Sequence, residues 1–206
     1  MSRAPRVDAV ILAAGTSSRL GRPKQLLDVG GRALVQRVVD AALGSSVTRV
    51  VVVTGAASED VRAAVAPDAR LRFADNNVYE SGQASSLAAG IRALDSETEA
   101  AAVLLGDQPG VSSALIDRLI AEFAATDKPV VRPIFTASGR RVPGHPVIFA
   151  RSFWPEVLAL SGDEGARAVL DARSGDVLEV PIEDQAPRDI DTEADCAAVL
   201  AEPRDS

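Results

Sequence analysis

Between positions 12 and 24 the chain reads Leu12-Ala13-Ala14-Gly15-Thr16-Ser17-Ser18-Arg19-Leu20-Gly21-Arg22-Pro23-Lys24, directly after the apolar run 7–12. A buried strand that empties into a loop of small residues ending in cations is a device for binding phosphate. The small side chains let backbone N–H groups come close to an anion, while Arg19 and Lys24 supply the charge a polyphosphate needs. That chemistry points to a nucleotide. The spacing excludes two familiar versions, because Gly15 and Gly21 enclose five residues, Lys24 does not directly follow the second glycine, and no G-x-G-x-x-G occurs. The loop is neither a Walker A loop nor a dinucleotide fingerprint. Lys24 and Lys128 are the only lysines among 22 Lys and Arg residues. In a chain so biased towards arginine, a lysine inside the loop points to a compact point charge in preference to a planar fork.

Three further segments accompany the loop: Gly106-Asp107-Gln108-Pro109, Gly144-His145-Pro146-Val147-Ile148-Phe149 and Asp189-Ile190-Asp191-Thr192-Glu193-Ala194-Asp195. Together they resemble the MobA/MocA-like nucleotidyltransferases, the family of the molybdenum-cofactor guanylyl- and cytidylyltransferases, over nearly the whole chain. The segment from Gly144 to Phe149 draws the resemblance towards the cytidylyl branch. It implies a nucleotide-diphospho-sugar-transferase-like fold that moves a nucleoside monophosphate, CMP from CTP, to a phosphorylated small-molecule acceptor such as molybdopterin and releases diphosphate. It also implies contact with a molybdoenzyme or its chaperone. A sugar phosphate or other small phosphometabolite as acceptor would keep the same chemistry. A nucleotide-cofactor-dependent oxidoreductase on the same fold is the reading from another class, and the missing G-x-G-x-x-G counts against it.

In nucleotidyl transfer an incoming phosphate attacks the α-phosphorus, so negative charge must be neutralised as diphosphate leaves. Mg²⁺ held by one or two carboxylates does this. Asp107 follows the apolar run 101–105 and stands at the carboxyl end of a strand, where open α/β sheets bind ligands, so it is expected to be a metal ligand. The alternative is a turn in which Asp107 caps the helix beginning near Ser112. The resemblance implies Asp191 as the second ligand, with Asp189 as its substitute; here the alternative is that Asp191 or Thr192 caps a last helix.

The resemblance further implies that the backbone of Leu12, Ala13, Ala14 and Gly15 cradles the nucleotide while Arg19 and Lys24 bind the triphosphate and stabilise the transition state as the catalytic cations. Gly82 would permit close approach of base and ribose, joined by Asn77, and Ser86 would bond the base from a helix start; Ser85 and Ser86 as ordinary capping serines is the competing reading. Guanylyl relatives read Leu-Ala-Gly-Gly at the loop and carry Asn where this chain has Thr54-Gly55. Ala14 therefore adds a methyl group where the loop nears the base, which predicts a preference for CTP over GTP. His145, the only histidine, is expected to shape the substrate loop, since a phosphate nucleophile is already ionised near neutral pH and needs no strong base. Trp154 lies in a helical pattern and is expected in the core.

The elements that must position these residues are legible as a pattern. Runs 7–12, 49–54 and 101–105 are short and nearly unbroken in apolar character, as strands covered on both faces are, and 71–74 reads as a further strand. Helical spacing over 33–43 stops at Gly44, a helix with a Ser58 cap opens at 58–61, and 112–125 is strongly periodic. Strand–helix alternation predicts an α/β protein: a three-layer α/β/α sandwich on a doubly wound, mostly parallel sheet, with a small antiparallel segment at about 129–149 serving as a substrate-side insertion. Helices at 153–160 and 165–172, a strand at 177–180 and a final helix from Thr192 complete the expectation.

At 206 residues the chain reads as a single nucleotidyltransferase domain, 1–206. A net charge of −7 argues against nucleic acid as a partner, because phosphate-backbone binding needs a broad basic surface. The lone Cys196 cannot form an internal disulfide, no run of 18 apolar residues occurs and no signal-peptide pattern is present, so a cytoplasmic protein without membrane association is expected.

Overall fold

In the computed structural model, residues 3–15, 23–137, 140–163, 166–184 and 186–187 are described. The central strand β1 (Val7–Ala13) is buried along its length because it has a strand on each side. It pairs in parallel with β2 (Val50–Thr54), Ile11 opposite Val52, and with β4 (Ala100–Leu105), Ile11 opposite Leu104. β3 (Leu71–Asp75) extends the parallel set beyond β2.

On the other side of β4 the chain direction changes. β5 (Val130–Ala137) and β6 (Arg140–Pro143) form an antiparallel pair, while β7 (Val147–Ala150) runs antiparallel between β4 and β5. β8 (Val177–Ile182) lies parallel to β5, giving one eight-stranded sheet in the order β3-β2-β1-β4-β7-β5-β6 with β8 on β5. The antiparallel segment expected at 129–149 is thus built into the main sheet. Val147, Ile148 and Phe149 are fully apolar and buried, so they complete the core in place of an appended hairpin.

The period of two along each strand divides the core into two. Ala9, Ile11, Ala102 and Leu104 face one cluster with Val35, Val38 and Val39 of α1 (Leu34–Leu43) and Ile116 and Leu119 of α4 (Ser113–Ala124). Val10, Val53, Ala101 and Val103 face the other with Leu87 and Ile91 of α3 (Gln83–Arg92), Trp154 and Val157 of α5 (Trp154–Leu158) and Leu170 of α6 (Arg167–Ala172). Helices therefore cover both faces, and the three-layer, mostly parallel architecture is the one the alternation predicts. Deleting the Leu104 side chain to Ala would cost about 2–5 kcal/mol, as for any fully buried leucine.

Two local expectations change. The short helix α2 (Ser58–Ala64) has Ala57 at its N-cap, with no side-chain cap. The Ser58 hydroxyl instead donates to Asp75 Oδ1 at 2.8 Å, because the carboxylate at the end of β3 is the stronger acceptor. Trp154 is buried as expected, its indole N–H donating to the Phe149 carbonyl. The expected helix from Thr192, with Cys196, lies outside the described residues. No helix among the described residues is long and apolar enough to cross a membrane.

Candidate active site

β1 and β4 end together: Leu12 is opposite Leu105, and the Gly106 N–H donates to the Leu12 carbonyl at 2.9 Å. Chain leaving one strand therefore starts beside chain leaving the other. This brings Asp107 alongside the loop 13–15, on the edge where parallel sheets bind ligands. A cleft of about 600 Å³ opens there, and Leu12, Ala13, Ala14, Gly15, Lys24 and Asp107 line it. Asp107 does not cap the following helix, since the Ser112 hydroxyl fills that role by accepting from the Leu115 N–H at 3.2 Å. Asp107 lines the cleft instead.

The loop is held from within by Gln25. This side chain is buried, and its amide donates to the carbonyls of Ala13 (3.0 Å) and Gly15 (3.1 Å). With the Ala13 carbonyl turned to Gln25, the trans peptide directs the Ala14 N–H the opposite way. Gln25 sits in the 3-10 turn Lys24–Leu26, so the residue that shapes the loop also fixes where the neighbouring lysine stem begins. A Cβ built on Gly15 meets nothing within 4 Å. Among the described residues the backbone at Gly15 is therefore open to close approach. Ala14 is different. It is 3% exposed within the second cluster, and a Cβ on Gly55 would lie 2.8 Å from its methyl. The methyl packs the loop against β2, so the argument that it rejects a purine loses its steric basis.

The opposite wall comes from α3 and the turn before it. Gly82 has φ +110° and lies against Gly162, whose carbonyl accepts from the Ala84 N–H at 3.1 Å. That contact brings Asp163 to the rim of the cleft. Ser86 also lines the cleft but accepts from buried Asn76 at 3.0 Å, while Ser85 accepts from the same amide at 2.8 Å and donates to the Gly82 carbonyl at 2.8 Å. Neither serine is the N-cap of α3, which is Gly82. The Asn76 Oδ1 accepts from the Val78 N–H at 3.1 Å, so one side chain pins both the helix start and the turn carrying Tyr79.

A second cavity of about 340 Å³ adjoins the cleft and shares Leu12, Gln83 and Leu105 with it. Its floor is apolar, from Leu87, Val103 and Phe149, and its rim carries His145 and Arg132. Arg132 donates to Glu179 at 2.6 Å, and Arg141 donates to the other oxygen at 2.9 Å. These guanidiniums, Arg132 foremost, hold the Glu179 carboxyl below its ordinary value. His145 thus belongs to this second cavity and not to the cleft of Lys24 and Asp107.

Of the residues singled out from sequence, Leu12, Ala13, Ala14, Gly15, Lys24, Gly82, Ser86 and Asp107 meet around one cleft. Arg19, Asp189 and Asp191 lie outside the described residues. Gln25, Asn76, Tyr79 and Asp163 belong to the site and were not expected. Only Asp163 carried a readable signal, the small and acidic bend Ser161-Gly162-Asp163 between two apolar stretches. Among the described residues no three His, Cys, Asp or Glu side chains gather to hold a metal by themselves. Glu80, Asp107 and Asp163 line the cleft, and carboxylates are the hard oxygen ligands that suit Mg²⁺, which keeps waters and takes substrate oxygens.

A doubly wound sheet whose central strands end at a cleft lined by a small-residue loop, a lysine and an aspartate is an arrangement that suits a nucleotidyltransferase. The model of the MobA-like NTP transferase domain matches residues 9–177, and the chain belongs to that family. Nicotine blue oxidoreductase of Paenarthrobacter nicotinovorans is 36% identical over 180 residues, which is 81% of this chain and 82% of that protein. Among solved structures, Rv0371c of Mycobacterium tuberculosis H37Rv superimposes with a TM-score of 0.84 at 30% identity, covering 97% of this chain and 100% of its own. A complex of Rv0371c with manganese gives a TM-score of 0.79 at 27% identity over the same shares, 97% and 100%.

Proposed function

We propose that the protein is a divalent-metal-dependent cytidylyltransferase that transfers CMP from CTP to a phosphorylated heterocyclic acceptor such as molybdopterin. A phosphate oxygen of the acceptor attacks the α-phosphorus, the bond from that phosphorus to the β-phosphate oxygen breaks, and diphosphate leaves. The reading is carried by one observation, the meeting of the loop 12–15, Lys24 and Asp107 around a single cleft that opens into a second, apolar-floored cavity. The backbone of the loop and Lys24 would hold the triphosphate, with Arg19 as a further cation. Asp107, with Asp191, would hold Mg²⁺. The metal, when bound, supplies positive charge to the phosphate oxygens as the leaving group departs. The adjoining cavity would seat the acceptor, its apolar floor under the ring and Arg132 at the rim. The manganese complex of a relative supports a divalent ion. The resemblance of the 144–149 segment to the cytidylyl branch supports CTP.

A second reading, a nucleotide-cofactor-dependent oxidoreductase, is favoured by the similarity to nicotine blue oxidoreductase over most of both chains. Purified protein incubated with each nucleoside triphosphate, Mg²⁺ or Mn²⁺ and phosphorylated acceptors separates the two. Acceptor-dependent release of diphosphate, greatest with CTP, is expected. Oxidation of reduced nicotinamide with a dye acceptor, and no diphosphate, would establish the second reading instead.

A further inference from the structure

We propose that Tyr79 is the aromatic wall on which the donor's nucleobase lies. This rests on the nucleotidyltransferase reading and adds to it the residue that holds the base. Tyr79 is the chain's one tyrosine and the only aromatic side chain among the described residues lining the cleft. It is half-buried, so part of it packs on the second apolar cluster while part faces the opening.

Its place along the cleft follows from the strand order. β2 and β4 flank β1, so Gly55 after β2 and Asp107 after β4 lie on opposite sides of the loop that leaves β1. The spacing across these three strands is about 10 Å. Tyr79 stands on the β2 side: a Cβ on Gly55 would come within 3.0 Å of the Tyr79 Cβ and 2.6 Å of the Ala14 carbonyl. Glycine at 55 thereby lets the tyrosine close directly onto the loop. Asp107 lies on the β4 side, and the adjoining cavity shares Leu12, Leu105 and Gln83 with the cleft. A nucleotide with its phosphates at Asp107 therefore extends its nucleoside end towards Tyr79. The cleft residues that follow Tyr79 in the chain, Glu80, Gly82, Gln83 and Ser86, offer backbone and polar groups but no flat apolar face. Tyr79 supplies one, and Asn76 fixes the turn that carries it.

Every base has a π-face, so stacking on Tyr79 strengthens binding of all four nucleoside triphosphates and does not choose among them. Tyr79→Leu, which keeps bulk against Gly55, is expected to weaken nucleotide binding between about fivefold and about a hundredfold, alike for CTP and GTP. Tyr79→Phe is expected to bind within about twofold of the natural chain, since the ring is retained.

The test is calorimetric titration of the full chain and both variants with CTP, GTP and inorganic tripolyphosphate, joined to NMR of the single ¹³C-labelled tyrosine ring. Expected are weaker CTP and GTP binding by Tyr79→Leu with unchanged tripolyphosphate binding, and a ring-signal shift produced by the nucleotides but not by tripolyphosphate. Unchanged tripolyphosphate binding also certifies that the variant is folded. Equal nucleotide affinity of the natural chain and Tyr79→Leu, or ring shifts that tripolyphosphate reproduces, would overturn the role of Tyr79 alone. Failure of the natural chain to bind CTP, GTP and tripolyphosphate would overturn the nucleotidyltransferase reading together with it.

Discussion

Gly82 meets Gly162 backbone to backbone: a methyl group on Gly82 would lie 2.3 Å from the carbonyl carbon of Gly162. The contact joins the start of α3 to the bend that carries Asp163, and both edges of the cleft depend on it. Gly82→Ala is therefore expected to cost about 1–3 kcal/mol through overpacking and positive φ, and to displace Asp163. Among the described residues a Cβ on Gly162 itself meets nothing within 4 Å, although its φ is +72°. Gly162→Ala is expected to cost only the backbone strain, about 1–2 kcal/mol. Denaturant unfolding of both variants checks the comparison, and a larger loss in Gly162→Ala would contradict the packing described.

Gln25 is the side chain on which the loop's shape depends. Replacing it with Met keeps its volume but leaves the carbonyls of Ala13 and Gly15 without its amide, at an expected cost of about 1–3 kcal/mol. The same variant is expected to raise the KM for nucleoside triphosphate at least several-fold, because the loop backbone loses its fixed orientation. Steady-state kinetics at varied triphosphate, beside thermal unfolding, measures both; an unaltered KM would show that the loop holds its shape without Gln25.

The sheet was legible where burial is two-sided. β1, β2 and β4 are apolar at nearly every position because neighbours and helices enclose them, and that reads directly as strand. The antiparallel run of β7 read, but its place beside β4 did not. Its pairing with β4, Ala100 opposite Ala150 and Val103 opposite Val147, joins segments far apart in sequence, and no local pattern records it. The same division runs through the site. The loop 12–15, Lys24 and Asp107 announce themselves by type and spacing. Gln25 drew no reading from the sequence, because its partners are backbone carbonyls, which no side-chain pattern marks. Gly82 was expected to admit a ligand, and the close approach it visibly permits is to the Gly162 backbone. Ser58 resembled a helix cap until the carboxylate of Asp75, on another strand, entered the comparison.

Asp75 accepts from the Arg62 guanidinium at 2.8 and 2.9 Å, from the Thr54 hydroxyl at 2.7 Å and from Ser58 at 2.8 Å. Arg62 foremost, then Thr54 and Ser58, lower its pKa from 3.8 to about 2. A carboxyl depressed in the folded state stabilises the fold above its unfolded value of 3.8, and that contribution disappears as pH falls through about 2. The group is half-exposed, so the contribution is under about 1 kcal/mol. Arg62→Ala is expected to move the titration towards 3.8 and to remove most of Asp75's own contribution to the stability difference between pH 2 and pH 4. Carboxyl NMR across that range checks it; an Asp75 titrating near 3.8 in the natural chain would contradict the network.

Lys24 and an arginine differ in shape more than in charge. If the phosphate niche beside the loop is compact, Lys24→Arg does not restore the turnover lost in Lys24→Ala, because a planar guanidinium needs a wider seat than an ammonium. Turnover of Lys24→Arg equal to that of the natural chain would make Lys24 a simple surface cation.

If Asp107 holds the divalent ion that neutralises the transferring phosphate, the most direct test is diphosphate release from CTP and acceptor by Asp107→Asn at saturating Mg²⁺. The substitution keeps size and removes charge, so the fold is expected to persist while turnover falls at least about tenfold, more than about 1.4 kcal/mol of barrier. A folded Asp107→Asn protein that turns over as fast as the natural chain would contradict the account.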